Sequence, residues 1–173
     1  MDNSFFVYLE ELELMGFFSG YLIIYLLVKF IATTLLQQRM VNLNLAKLLP
    51  YSYATVGLLF LGYQLKNLYP NYSLENLNSI TQNVFLKIWA LVSLLFFITA
   101  FAKNTALSML HSLVFFYFIV KDLFKYFFNE ADVALLQNGM SIYTRSLLLH
   151  AVSYFIVALF YFTINAFKRK SAA

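Results

Sequence analysis

Apolar positions along this chain come as long runs, not as stripes on otherwise polar elements. The longest, Val84 to Val120, is interrupted only by Ala102-Lys103-Asn104-Thr105-Ala106. As one straight helix it would measure about 55 Å, against a hydrocarbon slab of about 30 Å. One span cannot use that length, but two can, folded back at Lys103-Asn104. The pattern therefore predicts an all-α membrane protein, a polytopic bundle of about five transmembrane helices over 17–36, 51–68, 84–102, 106–128 and 146–167. The purely apolar part of the fourth is short. Four spans plus one re-entrant or interfacial helix is the alternative.

Between the runs, the polar positions suggest shorter elements. Asp2 to Met15 reads as an interfacial helix, capped by Asn3 or Ser4, with Phe5, Tyr8, Leu9, Leu12 and Met15 on one arc. Gln37 to Leu49 carries Arg39 and Lys47 among leucines and should lie along the surface. Pro50 then suits the first turn of the second span, where its missing amide hydrogen costs nothing. Pro70 to Asn83 is the most polar stretch. Its Asn71-Tyr72-Ser73 has the form of a glycosylation sequon, a chance match in a bacterial chain. Asn129 to Gly139 resembles a short external helix, with Glu130 and Asp132 at its positive end and Gly139 at its exit.

Composition agrees with burial in lipid. Of 173 residues, 62% are hydrophobic and 12% charged, where a soluble chain averages about 25% charged. No room is left for a soluble domain, so the chain reads as one membrane domain. Its richness in Phe, Tyr, Asn and Lys suggests an AT-rich bacterial genome. No cleavable leader is expected, because the N-terminus lacks a basic region and carries Glu10, Glu11 and Glu13. Cysteine is absent, which excludes disulfides, thiol catalysis and Cys-held metals. The net charge of +4 comes partly from Lys168-Arg169-Lys170, a topology signal and not a nucleic-acid patch.

Five spans place the termini on opposite sides. With the C-terminus inside, the inner segments hold Arg39, Lys47, Lys103, Lys168, Arg169 and Lys170. The outer ones hold Lys66, Lys87, Lys121, Lys125, Arg145 and all eight acids. The expected orientation is N-terminus out, C-terminus cytoplasmic, in a bacterial inner membrane.

Candidate chemistry is sparse. His111 and His150 are the only histidines, and both fall in apolar segments. Two imidazoles can hold a haem iron, but the five-span count puts them near opposite faces, which argues against a shared iron. No G-x-S-x-G and no Gly-rich phosphate loop occurs, and the one acid within the predicted spans, Asp122, sits where the fourth emerges through the headgroups, so a serine hydrolase, a nucleotide hydrolase and a carboxylate proton path all lack their residues. Zinc needs three or four ligands, and two separated histidines are a poor set. Lys29 lies within the first span, where snorkelling is the simplest role. Gly16 and Gly20 form a GxxxG pair that permits close helix approach, and Ser108 and Ser112, like Thr33 and Thr34, can bond between helices. The expectation is an accessory, non-catalytic subunit with no cofactor and no metal. Its partners would be the lipid bilayer and other membrane subunits, as a hetero-complex or else a homo-oligomer. A small oligomeric transporter or channel using Lys29, His111 or His150 is the runner-up, and a b-type haem carrier the third reading.

Overall fold

A computed structural model of the chain describes residues 14–34, 45–68, 84–128 and 133–171. Among the described residues there is no strand; nearly all are helical. A helical turn from Leu14 leads into α1 (Tyr21–Thr34). A 3-10 turn, Leu45–Leu48, leads into α2 (Leu49–Leu68). Pro50 is the second residue of α2 and buried, as its missing donor predicts. Next come α3 (Val84–Val92), a 3-10 stretch Ser93–Phe97, α4 (Thr99–Ala102), α5 (Thr105–Phe128) and α6 (Val133–Ser171).

Three helices are long and apolar enough to cross a membrane: Leu14–Thr34, Leu45–Lys66 and Met140–Lys168. They overlap three of the predicted spans, two of them starting six residues earlier than predicted, and the chain is a membrane protein by that measure. The other two predicted spans contain the shorter apolar helices Phe85–Phe97 and Thr105–Lys121. The expected single helix over 84–102 is broken. It tightens to 3-10 at Ser93 and then interrupts at Ile98, whose backbone is extended (φ −77°, ψ 125°). The fold-back falls where the polar break placed it, at Lys103-Asn104, and the Asn104 side chain accepts the Ala106 amide at 3.1 Å. That bond caps the start of α5.

A second correction concerns Gly139. It does not end a short helix, because α6 runs through it unbroken for 39 residues. Glycine lowers helical stability by only about 1 kcal/mol, a cost that a helix of this length, with Ala134-Leu135-Leu136-Gln137 before the glycine, absorbs. The expected interfacial helix before Leu14, the surface segment up to Asn44, the polar stretch 70–83 and the cap at Asn129 lie outside the described residues.

Contacts fix the helix directions. Tyr21 meets Tyr53, whereas the earlier Phe17 meets Phe60 and Tyr63, so α1 and α2 are antiparallel. Tyr53 meets Phe96, while Gly57 meets Ser93, so the α3 segment opposes α2. Tyr25 pairs with Thr105, Tyr21 with Ser108 and Phe18 with Phe115, so α5 opposes α1. Tyr143 reaches Met15, Ser146 meets Gly20 and His150 meets Tyr21, so α6 runs parallel to α1. Direction alternates at every step along the chain.

The core is aromatic. Phe18, Tyr21, Tyr53, Phe60 and Phe115 are fully buried around one another. Phe18 stacks on Phe115 at 4.8 Å and meets Phe60 edge-on at 5.4 Å, arrangements worth about 0.5–1.5 kcal/mol each beyond their area. Two glycines allow the tight approaches. A Cβ at Gly20 would lie within 2.7 Å of Leu147 Cα and the Ser146 carbonyl carbon, and one at Gly57 would overlap Ser93 Oγ.

Candidate functional site

Both histidines and two tyrosines of the interior meet at one level of the bundle, around Tyr53. This ring is wholly buried near the start of α2. Tyr21 from α1 lies 4.2 Å from it, His111 from α5 at 5.5 Å and His150 from α6 at 6.1 Å, all as ring-centroid distances.

His111 is held at both nitrogens. Nε2 is 2.8 Å from the Trp89 carbonyl oxygen, which can only accept, so Nε2 carries the hydrogen. Nδ1 therefore accepts, and the Tyr53 hydroxyl donates to it at 2.8 Å. Trp89 completes a reciprocal clamp. Its indole N–H donates to the His111 backbone carbonyl at 3.2 Å, and its ring stacks on the imidazole at 4.7 Å and 6°. One hydrogen-bonded unit thus ties α2, α3 and α5 together.

A second set ties α1 to the start of α5. Ser108 Oγ donates to the Thr105 carbonyl at 2.8 Å, so it accepts from the Tyr21 hydroxyl, also at 2.8 Å. Tyr25 and Thr105 hydroxyls lie 3.4 Å apart. On the other flank of α1, the Gly20 amide donates to Ser146 Oγ at 2.9 Å. His150 differs from all of these. It is 1% exposed; among the described residues neither ring nitrogen has a partner at full hydrogen-bond geometry, though the Phe17 backbone lies close to the ring. Ser93 Oγ is likewise buried without one.

The sequence-derived candidates separate clearly. Ser108 bonds another helix, as the spacing allowed. Ser112 does not, because its hydroxyl donates to Met109 of its own helix at 2.7 Å. Thr33 and Thr34 also bond their own helix, to carbonyls of Lys29 and Phe30. Of the GxxxG pair, Gly20 touches backbone while a Cβ at Gly16 would meet only Ile142 Cγ2, at an ordinary 3.8 Å. Lys29 is half-buried, its Nζ 5.8 Å over the Tyr25 ring. Tyr53, Tyr21 and Trp89 were not singled out for this site, since an aromatic in an apolar run carries no signal of its partner.

Replacing Ser108 by alanine is expected to leave the buried Tyr21 hydroxyl unpaired and cost about 1–3 kcal/mol. Ser112→Ala, which removes only a bond within its own helix, should be near neutral. Thermal unfolding of the two variants in one detergent compares them; equal losses would contradict the Tyr21–Ser108 bond.

The expected separation of the histidines is overturned. His111 and His150 meet the same Tyr53 ring, because α6 begins at Val133, which puts His150 well inside the helix and not at its end. A different feature now opposes a shared haem iron: both nitrogens of His111 are already engaged. The two histidines as they stand do not fit that group. Among the described residues no three metal-binding side chains come together. No protein-family model matches the chain, and neither a curated protein nor a solved structure matches it.

Proposed function

We propose that the chain is a five-crossing protein of a bacterial inner membrane, N-terminus outside and C-terminus cytoplasmic, serving as a non-catalytic accessory subunit of a larger membrane complex. Strict alternation of helix direction supports an odd number of passes. The cluster Lys168-Arg169-Lys170 that ends the last crossing supports the orientation.

The observation that carries the subunit reading is α6. Its membrane-length window is only 17% buried, against 56% and 50% for the other two long helices. Beyond Ala158 it exposes Leu159, Phe160, Phe162, Ile164 and Phe167. Tyr21 with Ser108 and Tyr53 with His111 pair within the core, and Ser19, Ser52 and Ser112 bond carbonyls of their own segments, so few of these groups are left to line a wet path. A wide aromatic face on an outlying helix suits a neighbouring subunit, which gains packing that lipid alone gives less well.

The test is purification from the native membrane in mild detergent through a C-terminal tag. Larger membrane partners in fixed stoichiometry are expected, with Phe155→Ser/Phe160→Ser releasing them while the chain stays folded. Turnover or flux by the purified chain alone in liposomes would overturn the reading. One observation favours a second one: buried His150, whose ring nitrogens meet no side-chain partner among the described residues, is the group a small transporter would use. In that case His150→Phe abolishes flux without loss of folded protein, and Lys29→Met tests the other deep cation in the same assay.

A further inference from the structure

Between Met140 and Phe167, Arg145 is the only Asp, Glu, Lys or Arg of α6. It lies five residues, about 8 Å, inside the membrane-length stretch Met140–Lys168. Its neighbour Ser146 accepts the Gly20 amide, and Gly20 lies six residues, about 9 Å, inside the membrane-length helix Leu14–Thr34. Two helices thus give Arg145 the same depth. An ionisable side chain at such a place is normally matched within its own bundle. Arg145 is exposed, and it stands five residues from buried His150, about 140° round the helix from the face that meets Tyr21 and Tyr53. It points away from its own bundle.

Among the described residues no acid is placed to meet the guanidinium. Asp122 is the only acid in the described segments, fourteen residues beyond Ser108 on α5. Ser108 meets Tyr21, as His150 does, so Asp122 lies about 21 Å above that level and Arg145 only about 8 Å above it. Below Arg145 the same face continues as an apolar line. Leu148, Val152, Phe155, Leu159 and Phe162 follow at alternating steps of three and four residues, and every one is exposed. That is the 3.5-residue period of a helix seam, which a second helix meets along its whole length at a small crossing angle. A cation one step above such a seam calls for a carboxylate at the same depth on the helix that covers it. A second copy of this chain does not supply one. Two copies inserted in the same sense pair about an axis normal to the membrane, which sets Arg145 against Arg145, and no Asp or Glu follows Asp132.

We propose that the seam from Arg145 to Phe162 docks one transmembrane helix of a partner protein, and that a Glu or Asp near the end of that helix pairs with Arg145. The inference rests on the subunit reading above and gives the partner its chemistry: apolar along its length, with one carboxylate about 8 Å inside the membrane face that Arg145 is nearest.

The probe is a synthetic transmembrane helix of leucine and alanine with a single Glu about 8 Å inside one end, or Gln or Lys in its place. The chain has no cysteine, so one added after Ala173 carries the donor dye. The full chain and the acceptor-labelled peptide are reconstituted in phosphatidylcholine vesicles, and energy transfer is read. The Glu peptide should associate about tenfold more tightly than the Gln peptide. R145Q should abolish that preference, and R145E should transfer it to the Lys peptide; both variants change an exposed side chain, and unchanged Trp89 emission shows that each is folded. Equal association of the Glu and Gln peptides overturns the inference, as does a Glu preference that survives R145Q. Loss of the preference when phosphatidylglycerol is added also overturns it, since lipid phosphate then holds Arg145. Failure of the subunit reading looks different. A wild-type chain that purifies alone from its native membrane ends that reading and this inference with it, whereas partners that stay bound to R145Q overturn this inference only.

Discussion

Gly20→Ala is expected to separate α6 from α1. The new methyl would be forced against the backbone of Ser146 and Leu147, which cannot turn aside as a flexible side chain could. The same shift would stretch the bond from the Gly20 amide to Ser146 Oγ. Overpacking of this kind costs about 1–3 kcal/mol, and occasionally more. A backbone obstacle belongs at the upper end. Gly20→Val should therefore prevent recovery of folded monomer, while Gly16→Ala leaves stability nearly unchanged. Thermal unfolding followed by circular dichroism in a single detergent reads all three. Equal effects at Gly16 and Gly20 would mean that the close approach at Gly20 is not formed.

The second large effect is expected at the His111 unit. Tyr53→Phe removes the donor to Nδ1 and leaves a buried acceptor unpaired, at a cost of about 1–3 kcal/mol. His111→Leu orphans the Tyr53 hydroxyl and also removes the stack on Trp89, for roughly 2–4 kcal/mol. Together the two changes should cost less than their sum by about 1 kcal/mol or more, because neither group is then left without its partner. Trp89 is the only tryptophan, so its fluorescence reports on this contact alone. Its emission should move in His111→Leu and stay nearly fixed in Tyr53→Phe. Strict additivity in the double variant would contradict the hydrogen bond.

The bond between Tyr53 and His111 also bears on any later assignment of function. A buried imidazole held at both nitrogens organises the bundle and is not available as a ligand or proton acceptor without breaking that pair. His150 carries no such restraint. The two histidines look alike in the sequence, each in a largely apolar run, yet among the described residues only His111 has a side-chain partner.

Hydropathy alone determined that this is a helical membrane protein, where its three long helices run and where the chain folds back at Lys103-Asn104. These follow from local rules: a run of apolar residues must leave water, and a polar break must turn. The same rules put one straight helix over 84–102 and a helix end at Gly139, and both were wrong. At Ser93, α2 comes so close through Gly57 that the segment narrows to 3-10 packing. At Gly139, the modest cost of one glycine does not stop a helix that is 39 residues long. Only tertiary structure decided that Gly20 and not Gly16 is the contact point, that Ser108 bonds across helices and Ser112 within its own, and that both histidines converge on Tyr53. Each of those outcomes depends on which residue of another helix arrives at the same depth, and periodicity within one segment holds no record of its neighbour's register.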